Sequence, residues 1–193
     1  MRYTADHKQH TRERIVRAAA RRFRARGSTG AAIAGMMREL RLTHGGFYRH
    51  FPSKHALFTE ALSSALDEVA DRMDAAADSA PAGRAFEALV NTYLSTEHCA
   101  HPEAGCPVAA LGPEIARLPK AQRASARQSI ARYIKRVARH VPGATPLARE
   151  RRAEVLFSAM AGTLSAARAE ADETAREQLL LEARKFFATA GRA

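Results

Sequence analysis

The chain reads as an all-α protein, and three observations lead there. Apolar residues recur at helical spacing along its length, most clearly Ile33, Met36, Met37 and Leu40 at i, i+3, i+4 and i+7. Tryptophan is absent, alanine is abundant and runs of β-branched residues are missing, which favours helices over strands. Glycine, proline and capping residues then punctuate the stripes at plausible helix ends. With 193 residues, 46% of them apolar, the chain is long enough to bury a substantial core.

The first helix is expected from Thr11, where Thr-Arg-Glu-Arg offers a cap and an early carboxylate, to Gly27 in a left-handed terminal position. Ile15, Ala19 and Phe23 form its inward stripe. Arg12, Arg14, Arg17, Arg21, Arg22, Arg24 and Arg26 cover the other faces, either as solubilising charge or, near the N-terminus, as phosphate contacts. A second helix spans Ala32 to Leu40, Arg41-Leu42 turn the chain, and Thr43 caps a third helix over residues 43–50. Pro52 ends that helix because it biases Phe51 away from the α region. Two helices joined by a three-residue turn make a helix-turn-helix, whose second helix enters the DNA major groove. Phe47 and Phe51 are read as core.

Ser53 caps a long fourth helix with Leu57, Phe58, Ala61, Leu62, Ala65, Leu66 and Val69 inside, ending near Ala76. Residues 77–83 read as a linker or tight bend, and a fifth helix follows through Phe86, Leu89, Val90, Tyr93 and Leu94. Residues 98–107 are rich in breakers, and the apolar run from Val108 to Leu111 is interrupted by Gly112-Pro113. Beyond Pro119 lies a helix with Ile130, Ile134 and Val137 inside. Its seven cations, Lys120, Arg123, Arg127, Arg132, Lys135, Arg136 and Arg139, are read as a solvated face in preference to a second DNA surface. Two helices close the chain. Pro146 to Glu170 carries Leu147, Val155, Leu156, Ala159, Met160, Thr163, Leu164 and Ala167, and Thr174 to Ala190 carries Leu180, Ala183, Phe186 and Phe187. Small residues Ala159, Gly162 and Ala166 permit close helix contact, so residues 146–190 are expected to pair with a second copy as a four-helix bundle.

Charge is polarised. Residues 1–60 hold 13 Lys or Arg against 4 Asp or Glu, and the remainder is nearly balanced, 18 against 16. A basic head on a balanced body is the footprint of a protein that neutralises phosphates at one end. The opening from Met1 to His7 leads into no apolar signal segment, and nothing approaches the roughly 20 apolar residues of a membrane helix. A soluble, cytoplasmic protein without membrane contact is therefore expected, with its two cysteines, Cys99 and Cys106, reduced.

Thr11-Arg-Glu-Arg-Ile-Val through Phe23, Gly27 and Ile33, followed by Leu42-Thr-His-Gly-Gly-Phe-Tyr-Arg-His-Phe-Pro-Ser-Lys-His-Ala-Leu, closely resembles the N-terminal domain of TetR-family (TetR/AcrR-type) transcriptional regulators over about residues 8–60. The remainder resembles the family's ligand-binding and dimerising body less specifically, through helix order and the segment Gly105-Cys-Pro-Val-Ala-Ala-Leu111. The resemblance implies an N-terminal three-helix helix-turn-helix domain, residues 1–54, and a C-terminal helical ligand-binding and dimerisation domain, residues 55–193. It further implies a homodimeric repressor that a small molecule releases from a palindromic double-stranded operator. Two departures stand out: Ala31 where a Thr or Ser usually caps the second helix, and Arg41 where the turn usually has Gly or Ala. By the same resemblance Thr43, Tyr48, His50 and Lys54 hold phosphates. Gly45 and Gly46 allow close approach, and His44, Arg49 and Arg41 are left to touch base edges.

Tyr93, Leu94, Cys106, Leu111, Tyr133, Phe157 and Met160 are candidate walls of an effector pocket, or else sealed core. Cys106, between Gly105 and Pro107 at a helix start, is a candidate electrophile or oxidant sensor, set against the ordinary role of a buried cysteine as inert packing. His98, Cys99, His101, Glu103 and Cys106 are of zinc-ligand type, but their spacing fits no familiar finger, so no metal and no cofactor are expected. No Gly-rich phosphate loop, Gly-x-Ser-x-Gly elbow or His-Glu-x-x-His helix is present, and no catalytic residue is assigned. The rival readings are a non-specific architectural DNA binder, and an enzyme using His98 and Cys106 as base and nucleophile.

Overall fold

A computed structural model describes residues 5–190; Met1 to Thr4 and the last three residues lie outside the described residues, and with them the start of the opening expected to hold no signal segment. Among the described residues there are helices and no strand. The helices are α1 (Ala5–Gly30), α2 (Ile33–Glu39), α3 (His44–Phe47), α4 (Lys54–Asp78), α5 (Ala85–Tyr93), α6 (Thr96–Ala100), α7 (Pro107–Ala116), α8 (Lys120–Val137), α9 (Pro146–Ala169) and α10 (Glu173–Ala190), with short 3-10 turns at Pro102–Ala104 and Ala138–His140.

Helix α4 is the axis of the molecule. Its buried face, Leu57, Phe58, Ala61, Leu62, Ala65, Leu66, Val69, Ala70, Met73 and Ala77, is wide enough to pack on α1, α5 and α8 together. The resulting core is continuous from Ile15 in α1 to Phe187 in α10, so the N-terminal helices and the body share one apolar interior. No described helix is long and apolar enough to cross a membrane.

Several local expectations are corrected. Helix α1 begins six residues before Thr11: Asp6 in its first turn complements the helix dipole, and Gln9 bonds Glu13 one turn on. Thr11 is buried inside the helix and is not its cap. Gly27 does adopt the left-handed region, φ 69°, but the chain resumes helical hydrogen bonding to Gly30 after this kink. The uncapped start of α2 is Ala32, not Ala31; no side chain bonds its first amides. A short helix, α6, capped by Ser95, runs into the breaker-rich segment 98–107 as far as Ala100.

Helix α7 runs through Gly112-Pro113 without interruption. Proline there removes the amide that would bond the carbonyl of Ala109. Ser165 of α9 donates to that carbonyl at 2.7 Å, so a neighbouring helix supplies the missing partner.

Nor are the α8 cations simply solvated. Arg136 pairs with Asp71 and Asp74, Arg139 with Asp74, and Arg127 with Glu154, tying α8 and the turn after it to α4 and α9. Asp74 is buried and also receives a bond from His140. Burial pushes its carboxyl up, but the bonds from His140, Arg139 and Arg136 outweigh that and hold it below the ordinary carboxylate value.

Candidate nucleic-acid interface

Helix α3 is little more than one turn; a side-chain cap stabilises its start and backbone hydrogen bonds stabilise its end. Thr43 Oγ1 accepts from Gly46 N at 3.2 Å, and the amides of His50 and Phe51 return to Phe47 O at 2.9 and 3.0 Å. Phe47 and Phe51 stack at 5.7 Å and are both buried, which anchors the helix on the core. Its other side is left outward: His44 and Gly45 are exposed, Tyr48 is 63% exposed, and a side chain at Gly45 would meet nothing within 4 Å. Pro52 and the Ser53 cap, Oγ accepting from Ala56 N at 3.1 Å, start α4 at once, so Lys54 sits in its first turn.

Arginines of α1 clamp this unit. Arg12 donates to the carbonyl of His50, pairs with Glu60 of α4 and lies 4.2 Å over the Phe51 ring. Arg14 bonds Leu40 O at 3.3 Å, and Arg22 pairs with Glu39. These side chains position α2 and α3 and are not merely solubilising charge.

Arg41, Thr43, Gly46, Arg49 and His50 come together around a groove of about 630 Å³ whose other walls are His7, Lys8, Thr11, Met37 and Leu42. His44, Gly45 and Tyr48 lie on the outer face of the short helix, and Lys54 is not part of the groove. His7, Lys8 and Thr11 were not read as site residues. The available signal was the continuation of α1 upstream of Thr11, which brings residues 7, 8 and 11 to one face a turn apart. Partial burial, then the nearby charges of Lys8, Arg12 and Arg49, lower the pKa of His50, and its Nδ1 is buried without a hydrogen-bond partner.

The candidate effector residues all fall in the interior. Tyr93 meets Phe157 edge-on at 5.6 Å, Tyr133 meets Phe157 at 5.7 Å, and Leu94, Leu111 and Met160 are buried with them. Burial holds both phenols well above their ordinary pKa, with Cys106 beside each, and Tyr133 Oη has no partner. Cys106, 2% exposed, is the N-cap of α7, and its backbone amide donates to His98 Nε2 at 2.8 Å. His98 Nδ1 in turn donates to Tyr93 O at 2.6 Å. Both imidazole nitrogens are thus engaged with backbone, and burial lowers the pKa to about 4. In this arrangement His98 does not face the thiol as a base. Among the described residues, no group of three or more His, Cys, Asp or Glu side chains is arranged to hold a metal ion.

A head built of three helices, with a capped one-turn helix presented beside a cationic groove, defines a helix-turn-helix protein of the DNA-binding kind. The family described as "Bacterial regulatory proteins, tetR family" matches residues 15–61. A helix-turn-helix type transcriptional regulator of Mycobacterium tuberculosis, found in two strains, is 32% identical over 111 residues, 55% of this chain and 54% of the relative. The match thus spans about half the length of those curated relatives. A TetR transcriptional regulator from Chloroflexus aurantiacus J-10-FL superposes with a TM-score of 0.72 at 25% identity over 94% of both chains. A TetR-family regulator from Cytophaga hutchinsonii shares the fold with a TM-score of 0.74 at 17% identity, over 97% of this chain and 98% of that one. Residues 15–61 thus match the DNA-binding helix-turn-helix of the TetR regulators, and over its length the chain is similar to TetR-family transcriptional regulators.

Proposed function

We propose that the protein is a homodimeric repressor in which residues 1–54 bind one half of a palindromic operator and residues 55–193 dimerise and respond to a small-molecule effector. The observation that carries the DNA half is the outward surface of α3 beside its cationic groove. Thr43, Tyr48, His50 and Lys54 hold phosphates, the bare backbone at Gly45 and Gly46 allows close approach, and His44, Arg49 and Arg41 reach base edges. Dimerisation through residues 146–190 is supported by an uncovered apolar stripe. Val155 and Phe186 are 69% and 67% exposed, and Ala159, Gly162 and Ala166 continue the α9 face of Val155. Two such heads related by a two-fold axis reach successive major grooves roughly 34 Å apart.

Effector response is supported by the buried aromatic cluster of Tyr93, Tyr133 and Phe157 with Leu94, Cys106, Leu111 and Met160. The unpartnered Tyr133 hydroxyl offers a donor to a ligand acceptor. Arg24 of α1 donates to Gly105 O at 2.9 Å and Arg72 of α4 to Ala104 O at 2.6 Å, so a shift of Cys106 and its neighbours pulls on the two helices that carry the head. A coupling of about 1–3 kcal/mol is enough to empty an operator. Cys106 itself is reached by an electrophile only when this core opens, and Cys106→Ser tests whether release by quinones, aldehydes or peroxide uses the thiol.

Selection of bound sequences from a random duplex pool tests the whole reading. The expected product is a palindrome preferred over bulk DNA by about 4 kcal/mol or more; binding of all sequences alike would make the protein an architectural binder. On the selected site, Tyr48→Phe and Lys54→Ala weaken binding to every sequence about equally, by roughly 1 kcal/mol. His44→Ala and Arg49→Ala change the preferred base, relaxing discrimination by about 1–3 kcal/mol.

A further inference from the structure

The groove beside α3 joins residues already assigned to DNA, Arg41, Thr43, Gly46, Arg49 and His50, to His7, Lys8 and Thr11 of α1, which the helix-turn-helix reading leaves out. Five of its ten lining residues are basic, His7, Lys8, Arg41, Arg49 and His50, and none is a carboxylate. Its floor holds Thr11, buried in α1 yet lining the groove, along with Met37 and Leu42. The charged and titratable groups around His50 are His7, Lys8 and Arg12 from α1, Arg41 from the α2–α3 turn, Arg49 beside it, and Glu60 of α4, which Arg12 engages. Cations are thus brought together around an imidazole that has one buried, unpartnered nitrogen. An anionic guest would relieve the mutual repulsion of such a cluster.

We propose that this groove is a seat for one phosphodiester of the bound duplex, with Lys8 from the first turns of α1 supplying charge and His50 binding in its protonated, imidazolium form. The proposal rests on the DNA-binding role of the head and extends its interface onto α1, at residues that the helix-turn-helix motif does not include. Burial and then the charges of Lys8, Arg12 and Arg49 lower the pKa of His50; a phosphate in the groove offsets those charges and raises it, so binding takes up a proton from solvent at this ring. Linkage sets the sign. A group whose pKa rises on binding makes affinity increase as pH falls through the interval between its free and bound values.

The test uses the full chain and a labelled duplex of arbitrary sequence, about 30 bp or three helical turns long, read by fluorescence anisotropy. Phosphate contacts are independent of sequence, so no operator is needed. Lys8→Ala is expected to reduce the slope of log affinity against log salt by about 0.9 per protomer, and Lys8→Arg to restore it. At fixed ionic strength the wild-type affinity rises as pH is lowered from about 8 to about 5, by as much as roughly tenfold per unit and protomer for one linked proton. His50→Gln removes most of that rise; the remainder belongs to the other histidines of the head. An unchanged salt slope in Lys8→Ala, or an unchanged pH dependence in His50→Gln, overturns the seat. Tight binding of inorganic phosphate alone by the wild type, with no Lys8 effect on the duplex slope, assigns the groove to a free anion and also overturns it. Failure of the wild type to bind any duplex is a different result, because it removes the DNA-binding reading itself.

Discussion

Arg41 turns the chain between α2 and α3 with φ of 59°, the one non-glycine residue among those described to adopt positive φ. An L side chain costs roughly 1–2 kcal/mol in this region. Arg41→Gly should therefore raise the unfolding free energy by about 1 kcal/mol, after allowance for glycine's freedom in the unfolded chain, as measured by urea denaturation. The same change should weaken duplex binding if the guanidinium touches DNA. His98 makes the opposite kind of statement. Its native pKa of about 4 lies below the ordinary value of 6.5, so the unfolded chain takes up its proton first as pH falls. Stability is complete above about pH 6.5 and declines toward pH 4, by on the order of 3 kcal/mol from this residue. Denaturation of wild type and His98→Gln across that interval checks it: the variant should show a shallower decline. The positions of both residues were visible in the sequence, as an Arg where turns favour Gly and as a His among helix breakers. Neither the backbone angle of the first nor the two bonds of the second follows from neighbours in the chain.

Helix α7 survives an internal proline because Ser165, 52 positions beyond Pro113 and on another helix, bonds the carbonyl that an amide at 113 would have taken. Ser165→Ala should destabilise the protein by about 1 kcal/mol in chemical denaturation. In a Pro113→Ala background the same change should have almost no effect, since the new amide serves that carbonyl, and the double-mutant cycle isolates the pair. Helices α2, α4 and α5 lie within a residue or two of their sequence-based limits, because period, caps and prolines act locally. Misreadings arose where a distant element changed the local balance: Pro113 through Ser165, the α8 cations through Asp71, Asp74 and Glu154, and Arg24, which is only 4% exposed because Glu68 and Gly105 O receive it.

Across the molecule, the uncovered stripe of α9 and α10 is the feature that asks for a second copy. Phe186→Asp and Val155→Asp alter side chains already in solvent, so the fold and its melting temperature should persist while light scattering reports a monomer. Loss of bivalent contact should then reduce operator affinity by roughly a hundredfold or more. The predicted apolar face of α9 was divided by packing. Leu156, Met160, Leu164 and Ala167 went inward, whereas Leu147, Val155 and Ala159 remained outside. Helical period alone makes these residues neighbours around one cylinder and cannot say which side of a wide stripe meets its own subunit.

The long helices, the basic head and the Thr43 cap of α3 were already written in residue type and spacing, because caps, prolines and 3.6-residue periodicity act over a few positions. The groove that joins Lys8 to His50, the bond from Ser165 to Ala109, and the sealing of Cys106 among Tyr93 and Tyr133 join residues from 27 to 56 positions apart in most cases. Such contacts depend on how the folded elements are arranged in space, and short-range pattern carries no record of that arrangement.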